Sequence, residues 1–271
     1  MFKKLLKQLA KKDDLKNTDF LIMSFPKCGR TWLKLMLTRF LQLHFGLELN
    51  AKILEPITLT ELNSNVPAIK FDHGLMGNPL EMTPDELKEF KFDFTDKQII
   101  ILIREPKDVL VSSYFHKKFR NQFSGDVNYT KSLSEFLIED RGGLGIFLKY
   151  YRKFHDCKNK ARKILLIRYE DLHNDPHSEL MKICEFIGIQ KINQTHIKNV
   201  VEFSSFDNMR AMEKSNEFNS PVLQPADEQN PESFKTRRGK VDGYVDYLSN
   251  DEIEFINKET RQNLPTWYGY N

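Results

Sequence analysis

Four short apolar runs alternating with longer stretches of helical periodicity predict an α/β protein, a single domain whose central, mainly parallel sheet is flanked by helices. The strand-like runs fall at 18–25, 66–71, 98–103 and 163–169, and the helical ones at 31–45, 106–120, 145–160 and 177–187. Each strand is separated from the next by enough chain for a crossover, and the right-handed rule lays such crossovers over the sheet faces. The length supports this reading: 271 residues and 32.0 kDa suit one domain with a large core over 1–271, and no low-complexity linker divides it.

The opening MFKKLLKQLAKKDDLK sets Phe2, Leu5, Leu6 and Leu9 on one helical face with lysines opposite, so 1–15 is expected to be an amphipathic helix. Such a helix either packs on the domain or touches anionic lipid through residues 1–12. The next stretch, FLIMSFPKCGRTWLKLML at 20–37, reads as a buried strand, a turn bearing Lys27 and Gly29, and a helix whose first turn faces the strand end. Unpaired N–H groups at a helix start carry the positive end of its dipole and bind phosphate or sulfate, and here Lys27 and Arg30 add charge. The nucleoside-triphosphate loop GxxxxGK[ST] places its lysine after the last glycine. Lys27 precedes Gly29, and that motif is absent.

In VPAIKFDHGL at 66–75, a strand ending at Phe71 puts His73 in the loop beyond it, where active-site residues of open α/β sheets gather. Neutral histidine can take a proton near physiological pH, which makes His73 the chosen base, with Asp72 and His116 as competitors. QIIILIREPKDVLVSSYFHKKF at 98–119 runs from an apolar strand through Arg104 and a helix-starting Pro106 to Ser112. About two helical turns separate Arg104 from Ser112, so both can converge on one anion, unless Arg104 only pairs with Glu105 or Asp108. The segments 120–131 and 214–236 read as loops, and the 21 phenylalanines imply an aromatic core and part of an apolar acceptor pocket.

Forty-one basic against 38 acidic residues leave a net charge of only +3, which argues against a nucleic-acid binder. The cations instead cluster at Lys117 and Lys118 and from Lys235 to Lys240, as suits a small polyanion. Three unpatterned cysteines, Cys28, Cys157 and Cys184, point to a reducing compartment and to neither a disulfide framework nor a zinc site. No apolar stretch is long enough to span a membrane and no signal-peptide cleavage pattern is present, so a cytoplasmic protein is expected.

FPKCGRTW resembles the 5′-phosphosulfate loop, usually close to YPKSGTTW, of the sulfotransferases that use 3′-phosphoadenosine-5′-phosphosulfate (PAPS). RxPKDVxxS at 104–112 is similar to that family's 3′-phosphate motif, and four ordered motifs extend the resemblance over roughly residues 18–250. The resemblance implies that Lys27 reaches the phosphosulfate, that Gly29, Arg30 and Thr31 hold its 5′ oxygens, and that Trp32 packs on the adenine. Cys28 and Arg30 stand where Ser and Thr are commoner. Cys28 is then either a small residue used through its backbone or a redox-responsive thiol whose pKa the helix start lowers.

By the same carry-over, Arg104 and Ser112 bind the 3′-phosphate and Tyr169, in YEDL, touches the adenine. FKTRRGKVDGYVDYLS resembles the RKGxxGDWK segment, so Arg237, Arg238 and Gly239 close over the 3′-phosphate, although Asp242, Gly243 and Tyr244 replace Gly, Asp and Trp. SSFDNM resembles TSFxxM and puts Ser204, Phe206 and Met209 at the adenine. The family's KTH arrangement matches the His73 region with one residue more. The dimer motif KxxxTVxxxE is poorly matched by VDYLSNDEIE at 245–254, and that dimer is expected to be absent. The implied reaction is in-line sulfuryl transfer from PAPS to an alcohol, phenol or amine, catalysed by Lys27, His73 and Ser112 with no obligatory metal. A kinase-like phosphotransferase and a non-catalytic nucleotide-binding protein are the alternatives.

Overall fold

The computed structural model describes residues 18–50, 52–74, 77–90, 92, 94–120, 129–220 and 223–270. The expected helix at 1–15, its lipid contact, and most of the 120–131 loop lie outside them. Strands β1 (Phe20–Ser24), β2 (Ile69–Asp72), β3 (Gln98–Ile103) and β4 (Lys163–Arg168) form one parallel sheet in the order β2-β1-β3-β4. All four expected strands are present. β1 and β3 read as unbroken apolar runs because they are central and covered on both faces, whereas β4, at an edge, is partly exposed.

Helix α1 (Arg30–His44) connects β1 to β2, and α2 (Pro84–Glu89) precedes β3. Between β3 and β4 run α3 (Pro106–Arg120), α4 (Leu133–Leu137) and α5 (Leu144–Cys157). After β4 come α6 (Tyr169–Asn174), α7 (Pro176–Phe186), α8 (Gln194–Phe203), α9 (Phe206–Lys214) and α10 (Asn250–Asn263). The chain leaves β1 in one direction for β2 and crosses back over it to β3, so right-handed connections put α1 and α5 on opposite faces. Packing agrees with this, since α1 lies on α8 and α8 on α7, while α5 lies on α2 and α10.

Most phenylalanines went into this framework. Phe25, Phe92, Phe94, Phe147 and Phe154 are buried with Tyr150 and Tyr151 in one aromatic cluster under the sheet. The register aligns the strand ends that matter: Met23 pairs with Asp72, Ser24 with Leu102 and Ile103 with Arg168. Residues one to three places further on therefore leave the same edge of the sheet. They are Lys27, His73, Arg104 and Tyr169, set around the point where the strand order reverses.

Candidate active site

The turn after β1 is held by an unusual backbone. Lys27 has φ 72 and Gly29 φ 90, and α1 begins with no side chain capping its first N–H groups. Gly29 is required twice over, because a Cβ there would also lie 2.5 Å from Cδ2 of Tyr169. The uncapped turn faces a cavity of about 560 Å³ whose wall includes Lys27, Gly29, Arg30, Thr31, Trp32, His73, Arg104, Ser112 and Tyr169. Ser204, Phe206, Met209, Arg237, Arg238 and Gly239 complete the same wall. The residues assigned to the cofactor or to catalysis are thus brought together, with Cys28 excepted.

Cys28 is the exception, and of its two readings the structure disfavours the redox-responsive thiol. Its side chain is fully buried behind the turn, with Sγ 3.3 Å from the hydroxyl of Tyr151. That hydroxyl donates to the Leu102 carbonyl at 2.8 Å, so the thiol is the donor in the Cys28–Tyr151 contact. Burial pushes the thiol up to about 12, the reverse of the shift a helix start would give. Among the described residues, Phe206 is the one phenylalanine that lines this cavity.

One side of the cavity is aromatic. Trp32 meets Tyr169 edge-on, with centroids 5.9 Å apart, and His173 lies within 6.4 Å of Trp32. Arg104 stacks 4.2 Å above the Tyr169 ring. It does pair with Asp108, at 3.2 Å, yet within the cavity wall, and it also donates to the carbonyls of Lys240 and Lys27. Asp108 in turn accepts from the backbone N–H of Asp242 and of Tyr244, both at 3.0 Å, which pins the C-terminal segment over α3.

That segment carries Arg237, paired with Glu232 at 2.8 Å, and Arg238, paired with Asp246 at 2.6 Å. Among the described residues, the buried Nε atoms of Arg104 and Arg237 have no hydrogen-bond partner, which leaves donors for a ligand. Gly239 has φ 58, and a Cβ there would lie 2.4 Å from the Phe206 ring, so this glycine lets the strap close on α9. Its carbonyl accepts from Nε2 of His173 at 2.9 Å.

Across the cavity, Nδ1 of His73 lies 2.6 Å from the Ser24 carbonyl. A carbonyl only accepts, so Nδ1 carries the proton, and in the neutral tautomer that results the lone pair is on Nε2. His116 is held neutral, its pKa lowered by burial and by the charges of Lys27, Lys235 and Arg120. Lys27 lies well below the usual lysine range, mainly through burial and then through Lys235, Arg120 and Arg237. Asp72 does not line the cavity.

Lys235 was read only as the start of a basic cluster and Asp108 only as a possible partner of Arg104, and His173 was given no role. His173 follows Tyr169 by one helical turn, so its face was readable, and Lys235 opens the basic cluster before the two arginines. The bond from Asp108 to the C-terminal strap spans 134 residues and leaves no local signal.

An α/β domain whose strand-end loops enclose cations, aromatic rings and uncapped helix N–H groups is a receptor for an aromatic polyanion, a nucleotide-binding enzyme in general form. The family profile described as Sulfotransferase domain matches residues 17–267, and the chain belongs to that family. It is 24% identical over 268 residues to cytosolic sulfotransferase 12 of Arabidopsis thaliana, covering 92% of this chain and 78% of that protein. To the amine sulfotransferase of Oryctolagus cuniculus it is 22% identical, covering 92% and 82%. Among solved structures, mouse sulfotransferase SULT7A1 complexed with PAP superposes with a TM-score of 0.58 at 19% identity, over 92% of this chain and 84% of that one. This likeness shows the shared fold.

Proposed function

We propose that this sulfotransferase uses PAPS and transfers its sulfuryl group to a hydroxyl or amine acceptor, releasing adenosine 3′,5′-bisphosphate (PAP). The observation that carries the reading is the convergence of Lys27, Arg104 and His73 from three adjacent strand ends on one cavity. The cavity suits the cofactor: Lys27 has no ion pair among the described residues, and the Arg104 and Arg237 Nε atoms lack partners. The aromatic side at Trp32 and Tyr169 suits an adenine. PAPS, when bound, supplies the activated sulfuryl group.

The chain supplies the rest. His73 takes the acceptor proton at Nε2 while Nδ1 stays fixed on Ser24, and Lys27 neutralises charge that builds on the departing phosphate oxygen. Ser112 and the first turn of α1 hold the anion in line, so catalysis rests on positioning and electrostatics. We assign Arg104, Ser112, Arg237 and Arg238 to the 3′-phosphate and Ser204, Phe206, Met209 and Tyr169 to the adenine. Names of relatives as cytosolic enzymes support a cytoplasmic setting, and among the described residues no helix is long and apolar enough to cross a membrane.

Calorimetry with PAPS, PAP, ATP and adenosine 5′-phosphosulfate tests the reading. Charge-assisted bonds contribute about 1.5 to 3 kcal/mol each without adding fully, so removing the 3′-phosphate should weaken binding by several kcal/mol. Equal affinity for adenosine 5′-phosphosulfate and PAPS would sink the 3′-phosphate assignment. Preference for ATP with Mg²⁺ would favour a kinase.

A further inference from the structure

The cations of the cavity fall into two groups. Toward the aromatic side each arginine already faces a carboxylate: Arg104 faces Asp108, Arg237 faces Glu232 and Arg238 faces Asp246. The same wall also holds His73, Asn78 and Leu80 together with Arg30 and Lys235. Among the described residues, neither Arg30 nor Lys235 has a carboxylate within ion-pairing distance.

Their placement follows from the fold. Arg30 and Lys34 are one turn apart on α1 and share a face. Lys34 pairs with Glu55 and sits 5.2 Å over the ring of Phe71 in β2, so this face looks toward the strand that leads into His73. Lys235 lies within the Coulomb field of both cations. The carboxylate nearest to it in the chain's packing, Glu213, is occupied: it accepts from the backbone N–H of Lys235 and Thr236 and pairs with Arg120.

A wall of this kind is a poor container for a neutral apolar acceptor. Two partly desolvated cations that feel carboxylates only through space, Arg30 those of Asp72 and Glu55 and Lys235 that of Glu213, are costly to keep, and burial beside Arg120 and Arg30 pulls the Lys235 ammonium down to about 8. An acceptor bearing its own negative charge removes that cost. Resting on the sulfotransferase reading, we infer that the acceptor is an oxyanion, whose carboxylate, phosphate or sulfate group is held by Lys235 and the Arg30 guanidinium while its hydroxyl or amine faces His73. A free carboxylate and an ester anion share this recognition, and the carboxylate is the simpler probe.

The test is calorimetric titration of three phenols of similar length into the protein saturated with PAP: 4-hydroxyphenylacetate, its neutral amide, and cationic tyramine. The acetate should bind at least about tenfold tighter than the amide, with tyramine weakest. Lys235→Gln should bring acetate down to the amide while lowering PAP affinity less, and Lys235→Glu should shift preference to tyramine. Equal binding of all three phenols overturns the inference, as does a loss of PAP affinity in Lys235→Gln as large as the loss for acetate. PAP binding without anion preference overturns the inference and leaves the sulfotransferase reading standing. Anion preference in a protein that binds no PAP overturns that reading, and with it the anion's role as acceptor.

Discussion

Arg120, at the end of α3, and Glu213, on α9, form a buried ion pair of 3.2 Å beneath the strap that carries Lys235, Arg237 and Arg238. Both side chains are almost wholly enclosed, and each also binds backbone: Arg120 donates to the Ser233 carbonyl, and Glu213 accepts from Lys235 and Thr236. The pair therefore fixes where the strap leaves α9 and how it enters the cavity.

Breaking that pair from one side leaves a buried charge alone, which destabilises by about 3 to 5 kcal/mol. Glu213→Ala should lower the urea midpoint accordingly and loosen PAP, because the strap loses two of its anchors. Glu213→Gln, which keeps the acceptor oxygen, should lose less. An unchanged midpoint in Glu213→Ala would show that the strap is held elsewhere.

Gly29→Ala combines a positive φ with a steric conflict against Tyr169. Either the turn or the tyrosine must move, so PAP affinity should drop by more than about tenfold, equivalent to roughly 1.4 kcal/mol. Adding Tyr169→Ala should recover little, since it relieves the contact but keeps the backbone strain and removes an adenine contact. Full recovery in the double variant would mean that the clash alone mattered.

Lys27 and His73 should separate in their kinetics. Lys27→Ala should lower both turnover and cofactor affinity, as the lysine faces the anion in ground and transition states. His73→Ala should lose about 10² to 10⁴ in single-turnover rate with PAP affinity nearly unchanged. Near-normal turnover in His73→Ala, with a large loss in His116→Ala or Asp72→Ala, would move the base.

The lowered lysines make binding depend on pH in a fixed direction. Burial first, and cationic neighbours next, leave Lys235 titrating at about 8 and Lys27 well below its ordinary 10.5. A polyanion prefers the ammonium, so above that pH binding must return a proton, and affinity should fall by up to about tenfold per pH unit per proton. For stability the sign is opposite. Between about pH 8 and 10.4 the unfolded chain holds the Lys235 proton that the folded chain has lost, so this group makes the fold more stable as pH rises. Calorimetry in buffers of different ionisation heat reads the proton uptake directly, and zero uptake near pH 8.5 would contradict the shifts.

Much of the framework was legible because it is local. The strand at 98–103 and the helix at 106–120 were read with the observed bounds, since apolar runs and Pro106 mark them within a few residues. Phosphate-loop geometry was legible for the same reason: Lys27, Gly29 and the helix start are contiguous. What stayed hidden depends on partners far apart in the chain. The neighbours of Cys28 left open a thiolate or a small residue used through its backbone, and burial against Tyr151, 123 residues away, speaks against the thiolate. The phenylalanine count could not distinguish a core from a pocket wall, and most of them went into the core. Lys235 belongs to the cavity only because Glu213 and Arg120 aim the strap, a relation that no spacing encodes.

The left-handed backbone at Lys27 has a consequence for how such a chain decays. A residue with a side chain at φ 72 raises the energy of the fold by about 1 kcal/mol, which glycine would not. Lys27→Gly should thus melt higher than Lys27→Ala while having lost the same chemistry. Selection for a well-folded product favours glycine at this codon and selection for turnover favours lysine. A descendant released from its catalytic duty would drift toward glycine there, so the residue at 27 records whether the lineage is still at work.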